Sequence, residues 1–201
     1  MKVLLPISYL GPVSYYIILI KSENIFFETN EFFVKQSLRN RCNILSANGN
    51  QTLSIPKERK SADKTKISDI KICNYQKWQK KHWQALLTSY NSSPFFEYYK
   101  DHFFDFYHTP QSNLFDLNLK LTQTILSILK IEKKINFTTY FEKKFDGIDY
   151  RNHKFRSINI EKYEQVYSEI FEFYNDLSII DLIFNLGPET TSYLERQISF
   201  E

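Results

Sequence analysis

Three short constellations carry residue types that do chemistry. Arg39-Asn40-Arg41 places two guanidiniums two residues apart. On a strand such residues point the same way, and their paired donors would grip a phosphate or carboxylate. Asn40 is grouped with them as substrate-binding. The competing reading is a solvated strand edge whose charge resists aggregation. His82 is the acid/base candidate, because imidazole titrates nearest neutral pH. It stands between Lys80-Lys81 and Trp83, and nearby ammonium groups favour a neutral, base-ready ring. The alternative is a core-edge histidine on a stripe with Trp78. Asp149-Tyr150-Arg151 offers a catalytic carboxylate and a binding guanidinium. They follow an Asp146-Gly147 turn, at an expected strand's carboxyl end, where α/β sites lie. A surface ion pair would use the same two residues. His82 has no sequence-local metal partner, and no metal site is expected. His102, His108 and His153 lack ligand-like spacing and read as helix surface.

Known catalytic signatures are absent: there is no P-loop, G-x-G-x-x-G, G-x-S-x-G or H-E-x-x-H. The turn before residue 12 is placed like a phosphate-binding turn, but Gly11 alone matches it poorly. Cys42 and Cys73 are the two cysteines, which excludes a disulfide framework and a cysteine zinc site. No cofactor is named by any motif. The net charge of +3 divides into +8 over residues 1–100 and −5 over residues 101–201. A basic half attracts phosphate-bearing ligands, yet a pI of about 8.6 is modest for nucleic-acid binding.

The elements that position these groups follow from periodicity. With 201 residues and 42% apolar content, one α/β domain over residues 1–201 is expected. Aromatics reach 17%, with 18 Phe and 14 Tyr. AT-rich codons account for much of that richness, so it carries no functional weight. Residues 3–20 lack charge and approach the length of a membrane span. Pro6, Gly11 and Pro12 interrupt them, so a buried strand over 2–5 and a helix over 12–21 are preferred, with no membrane span and a cytoplasmic location. Residues 24–28 read as a second strand. Asn48-Gly49 between alternating runs predicts a type I′ hairpin, with Cys42, Ile44, Leu53 and Ile55 inward and Arg41, Asn43, Thr52 and Ser54 outward. Residues 57–66 read as a charged loop, and 68–73 as a strand. Helices are expected over 76–90, from the Ser93-Pro94 start to 107, and from Asn113 along Leu114, Leu117, Leu121, Ile125 and Ile128. Residues 134–140 read as a strand and 160–174 as an amphipathic helix. Ser178 and Asp181 form a capping box for a helix over 179–186, closed by Gly187-Pro188. A last helix covers 189–197. The fold expected is a small mixed sheet with the hairpin in the N-terminal half and a mostly helical C-terminal half.

Several phrases along the chain resemble the WbqC-like family of bacteria. They are Leu5-Pro6-Ile7-Ser8-Tyr9-Leu10-Gly11, Arg39-Asn40-Arg41-Cys42, Asn48-Gly49 with Leu53-Ser54-Ile55-Pro56, and Trp78 with His82-Trp83. Further on come Tyr90 with Ser93-Pro94-Phe95-Phe96, Asp149-Tyr150-Arg151, Tyr163-Glu164-Gln165, and the run from Leu177 to Pro188. Tyr9, within the first phrase, joins the substrate-binding set. Family members often carry Gln-Pro after the first strand; Leu5-Pro6 stands there instead. The resemblance implies a setting in surface-polysaccharide synthesis without an established reaction. It points to a transferase or another enzyme that modifies a sugar, a nucleotide-sugar or another anionic small molecule. A non-catalytic binding or scaffold protein is the alternative, and a nucleic-acid module ranks below both.

Overall fold

The computed structural model describes residues 1–58, 64–155 and 158–197. Its centre is a four-stranded sheet built from β1 (Lys2–Leu5), β2 (Asn24–Phe27), β5 (Ile135–Phe137) and β6 (Ile148–Asp149), in the order β5-β2-β1-β6. Every pairing is parallel: Val3 sits opposite both Ile25 and Ile148, and Phe27 opposite Phe137. Val3, Leu4 and Leu5 are all buried. A continuous apolar run suits a parallel strand covered on both faces. Helix α1 (Val13–Lys21) makes the β1–β2 crossover. Pro12 precedes it in extended conformation, as a residue with a fixed φ and no N–H can. Its residues 13–20 are buried all round, packed against α7 (Thr190–Arg196) and α6 (Ile179–Leu186).

Strands β3 (Arg41–Ser46) and β4 (Gly49–Ser54) form a separate two-stranded hairpin rather than part of one mixed sheet. Arg41 pairs with Ser54 and Asn43 with Thr52, so the polar face is as expected. The turn differs. Ser46 pairs with Gly49, which leaves Ala47 and Asn48 as the loop. Gly49 alone takes positive φ, at 91°. A type I′ turn needs positive φ at both loop residues; a right-handed turn closed by a glycine bulge needs only one.

Helix α2 (Trp78–Tyr90) buries Trp78, His82, Leu86 and Tyr90 on one stripe. Helix α5 (Leu114–Ile128) is capped by Asn113, whose Oδ1 accepts from the Asp116 amide at 3.0 Å. Four expectations are corrected. Residues 68–73 are not a strand: a 3-10 turn covers Ile67–Asp69, and Ile70 and Ile72 bond instead to the first residue of α5, Leu114, and to Ser112 in the loop before it. The helix expected to run from Ser93-Pro94 to residue 107 is two, α3 (Phe96–Tyr99) and α4 (Asp101–His108). The Phe95 amide bonds to the Phe184 carbonyl, and Ser93 caps nothing. Residues 160–174 form no helix. Gln165 donates to the Tyr174 carbonyl and accepts from its amide, while Asn175 bonds Ile158 and Ile160. Side-chain amides thus replace the helical ladder there. Lastly, Asp181 is no cap. Its carboxylate accepts from Tyr90 Oη at 2.8 Å and Tyr163 Oη at 2.6 Å, and Ser178 Oγ donates to Leu10. Burial pushes the Asp181 carboxyl up to about 6, against the opposing pull of those hydroxyls. Gly187 ends α6 at φ 53°, where a side chain would collide with the Phe95 ring. Residues 59–63 of the expected charged loop lie outside the described residues.

Candidate functional site

The four parallel strands run in chain order third-second-first-fourth. The order reverses between β1 and β6, and ligands of open α/β sheets bind outside the carboxyl ends of strands at such a point. A cavity of about 450 Å³ lies among the segments that follow those ends, a size that suits a small-molecule ligand. Leu10, Leu38, Cys42 and Phe155 supply apolar lining. Arg41, Asn43 and Thr52 form one wall from the hairpin's polar face. His153 and Lys154, both exposed, form another from the loop after β6. Six non-glycine residues among those described have positive φ, and Leu10, Gln36 and Asp176 of those six line this cavity. Left-handed backbone at non-glycine residues costs about 1–3 kcal/mol each and collects at functional sites.

The start of α1 opens toward the same region, but its donors are engaged. The Val13 amide bonds the Leu177 carbonyl at 3.0 Å. Asp176, 2% exposed, accepts from the Ser14 amide and from Ser14 Oγ, both at 2.7 Å. The anion at this helix N-terminus is therefore the protein's own carboxylate. Gly11 serves close packing: a Cβ there would come 2.8 Å from Ser8 Oγ.

Arg39 and Arg41 do not point together, because β3 begins at Arg41. Arg41 is partly exposed and bonds Ser54 Oγ at 3.3 Å. Arg39 is 3% exposed and forks onto Glu31, Nε to Oε1 at 2.6 Å and Nη2 to Oε2 at 2.5 Å. Burial raises the Glu31 carboxyl above its ordinary value, opposed by these bonds. Asn40 donates to the Ile55 carbonyl, and its own Oδ1 is buried without a partner. Arg151 holds Asp149 through Nε at 3.0 Å and Nη2 at 2.6 Å, and Glu28 through Nη1 at 3.1 Å. Burial works to raise the Asp149 carboxyl, but the Arg151 bonds outweigh it and hold it below the usual value. Glu28 is fully buried and also accepts from Thr138, Asn30 and Glu142.

His82 and Tyr9 meet elsewhere. His82 Nδ1 lies 2.8 Å from Tyr9 Oη, which lies 2.9 Å from Tyr107 Oη. Trp78 packs edge-on against the imidazole at 5.2 Å between centroids. Burial lowers the His82 pKa to about 4, with Lys81 adding to it and a backbone bond to Ser54 opposing. The neutral ring then has a hydrogen-bond role for each nitrogen.

The residues singled out from sequence thus fall into four groups. Arg41 lines the cavity; Arg39 and Arg151 belong to a buried ionic cluster beside it, with exposed Asp149 at its edge; Asn40 ties the hairpin entry to the Ile55 carbonyl; Tyr9 and His82 share a buried hydrogen-bond chain. His153, read from sequence as helix surface, lies instead in the loop after β6. It is held edge-on to Tyr150 and Phe155 at 5.3 and 5.1 Å. The signal that would have found it is its position four residues after Asp149, past a strand's carboxyl end. Among the described residues, no group of three or more His, Cys, Asp or Glu is placed to hold a metal ion, and no helix is long and apolar enough to cross a membrane.

Comparison with known proteins adds the following. The uncharacterized protein Rv1507c of Mycobacterium tuberculosis (strain ATCC 25618 / H37Rv) is 28% identical over 196 residues, covering 81% of this chain and 83% of that protein. No solved structure matches. The model of the WbqC-like protein family matches residues 8–146, which take in the Leu10, Arg41 and Thr52 walls and end before His153. That span is more than half of the chain, and with it the chain belongs to the WbqC-like protein family.

Proposed function

We propose that this chain is a sugar- or nucleotide-sugar-modifying enzyme, a transferase of bacterial envelope polysaccharide biosynthesis, and that the cavity beyond β1 and β6 is its binding site. The observation that carries the proposal is the cavity itself. Apolar lining from Leu10, Leu38 and Phe155 meets basic side chains from two walls, Arg41 on one and His153 with Lys154 on the other. Such a lining suits a ligand with an anionic group and a less polar body. Hydroxyl and amide groups of Ser37, Asn43 and Thr52 are matched to sugar hydroxyls. The three left-handed backbone positions support the same placement. The polysaccharide setting rests on the family resemblance. In this reading Arg41 holds the anionic group, and His153 is the base within reach of a ligand hydroxyl. The helix N-terminus contributes no phosphate contact, since Asp176 occupies it.

A thermal-shift series with nucleotides and nucleotide-sugars tests the reading. A ligand at 100 times its dissociation constant stabilises the fold by about 2.7 kcal/mol. Arg41→Ala should weaken that ligand at least tenfold. Binding that survives Arg41→Ala unchanged, or no shift with any anionic sugar, would contradict it. Binding without turnover would favour the non-catalytic alternative.

A further inference from the structure

We infer that Arg39 and Arg151 are positioning residues that lock the two basic walls of the cavity to one another. Arg39 directly follows Ser37 and Leu38 and stands two residues before Arg41, all three of them cavity-lining. Arg151 stands two residues before His153. A direct bond joins the two: Arg39 Nη2 donates to the Arg151 carbonyl at 3.3 Å while holding Glu31 at 2.5 Å. From the other side, Asn118 of α5 donates to the Arg39 carbonyl at 2.7 Å. The Arg151 side chain is engaged in turn, by Asp149, Glu28 and the Glu142 carbonyl, with the Phe141 ring 4.9 Å from its guanidinium carbon.

Stability alone does not explain this network. Buried ion pairs of this kind are often replaced by apolar residues with no loss of stability, because desolvation offsets the Coulombic gain. What apolar residues would not reproduce is the directional bond from the hairpin entry to the loop after β6. Only a planar guanidinium satisfies Glu31 bidentately and still reaches a second acceptor. The network therefore sets where His153 and Lys154 lie relative to Arg41. Its consequence for ligand binding rests on the function proposed above; the positioning itself does not.

The test uses the full chain with Glu31→Met and Arg39→Met combined, and amide hydrogen exchange read without ligand. The double variant should melt at or near the wild-type temperature, while the His153 amide, which donates to the Tyr150 carbonyl, exchanges at least tenfold faster. UDP-glucose, as a probe, should then give a smaller thermal shift than with the wild type. A folded double variant whose His153 amide exchanges at the wild-type rate overturns the inference. Should the double variant not fold, Arg39→Lys takes its place. Lysine keeps the charge on Glu31 without the fork, so the same amide should again exchange faster, and unchanged exchange overturns the inference. Absence of UDP-glucose binding by the wild type bears on the proposed function and leaves the exchange result to decide positioning.

Discussion

Asp181→Asn isolates the cost of a buried carboxyl that anchors α6 beside the cavity. In the wild type, burial raises this group from 3.8 to about 6. Its folded pKa lies above its unfolded value, so the folded state holds the proton more tightly. Stability from this group is then greatest below pH 4 and is lost as the pH rises through 6. A difference of about 2 units, at 1.36 kcal/mol each, makes the loss ~3 kcal/mol. Asparagine keeps the shape and offers Oδ1 to one tyrosine hydroxyl and an N–H to the other, without titrating. Denaturant unfolding of both proteins at pH 4 and pH 7 measures the difference. The wild type should lose a few kcal/mol more than Asp181→Asn over that interval, because other titrating groups cancel in the comparison. Equal pH dependence in the two proteins would show that Asp181 ionises as easily folded as unfolded, and would refute the reasoning.

His82 should remain neutral well below the ordinary histidine range. Its NMR titration midpoint should fall near pH 4, and a midpoint between 6 and 7 would contradict its burial among Trp78, Tyr9 and Tyr107. Tyr9→Phe removes the hydroxyl joining His82 to Tyr107 and should cost about 1–3 kcal/mol in denaturant unfolding, since two buried polar groups lose a partner. Gly187→Ala forces a side chain onto a left-handed residue against the Phe95 ring. It should lower stability by about 2 kcal/mol or more; a melting temperature equal to the wild type would contradict the packing.

Local signals read well where local physics governs. The strands over 2–5 and 24–27 carry continuous apolar runs at residues 3–5 and 25–27, and Asn113 announces α5 through its own cap. The hairpin faces followed from alternation, although the turn shifted by one residue because Gly49 was better used alone. Residues 160–174 misled because Ile160, Tyr163 and Val166 are buried three apart, a spacing that a helix also produces. The backbone there is satisfied by Gln165 and Asn175 side chains, which no periodicity reveals. The site was legible only in parts. Arg39 and Arg41 look like twins, yet Glu31, eight residues upstream, draws one inward. His153 gained its place only through the long-range pairing of β6 with β1, which sequence spacing does not encode.

Mapping where a nucleotide-sugar binds tests the central claim most directly. Backbone amide NMR shifts of the wild-type chain titrated with UDP-glucose and related nucleotide-sugars provide the map. The account predicts saturable shifts at Ser37, Asn43, Thr52 and His153, absent in Arg41→Ala. Saturable shifts gathered elsewhere on the molecule, with these four amides unmoved, would contradict it.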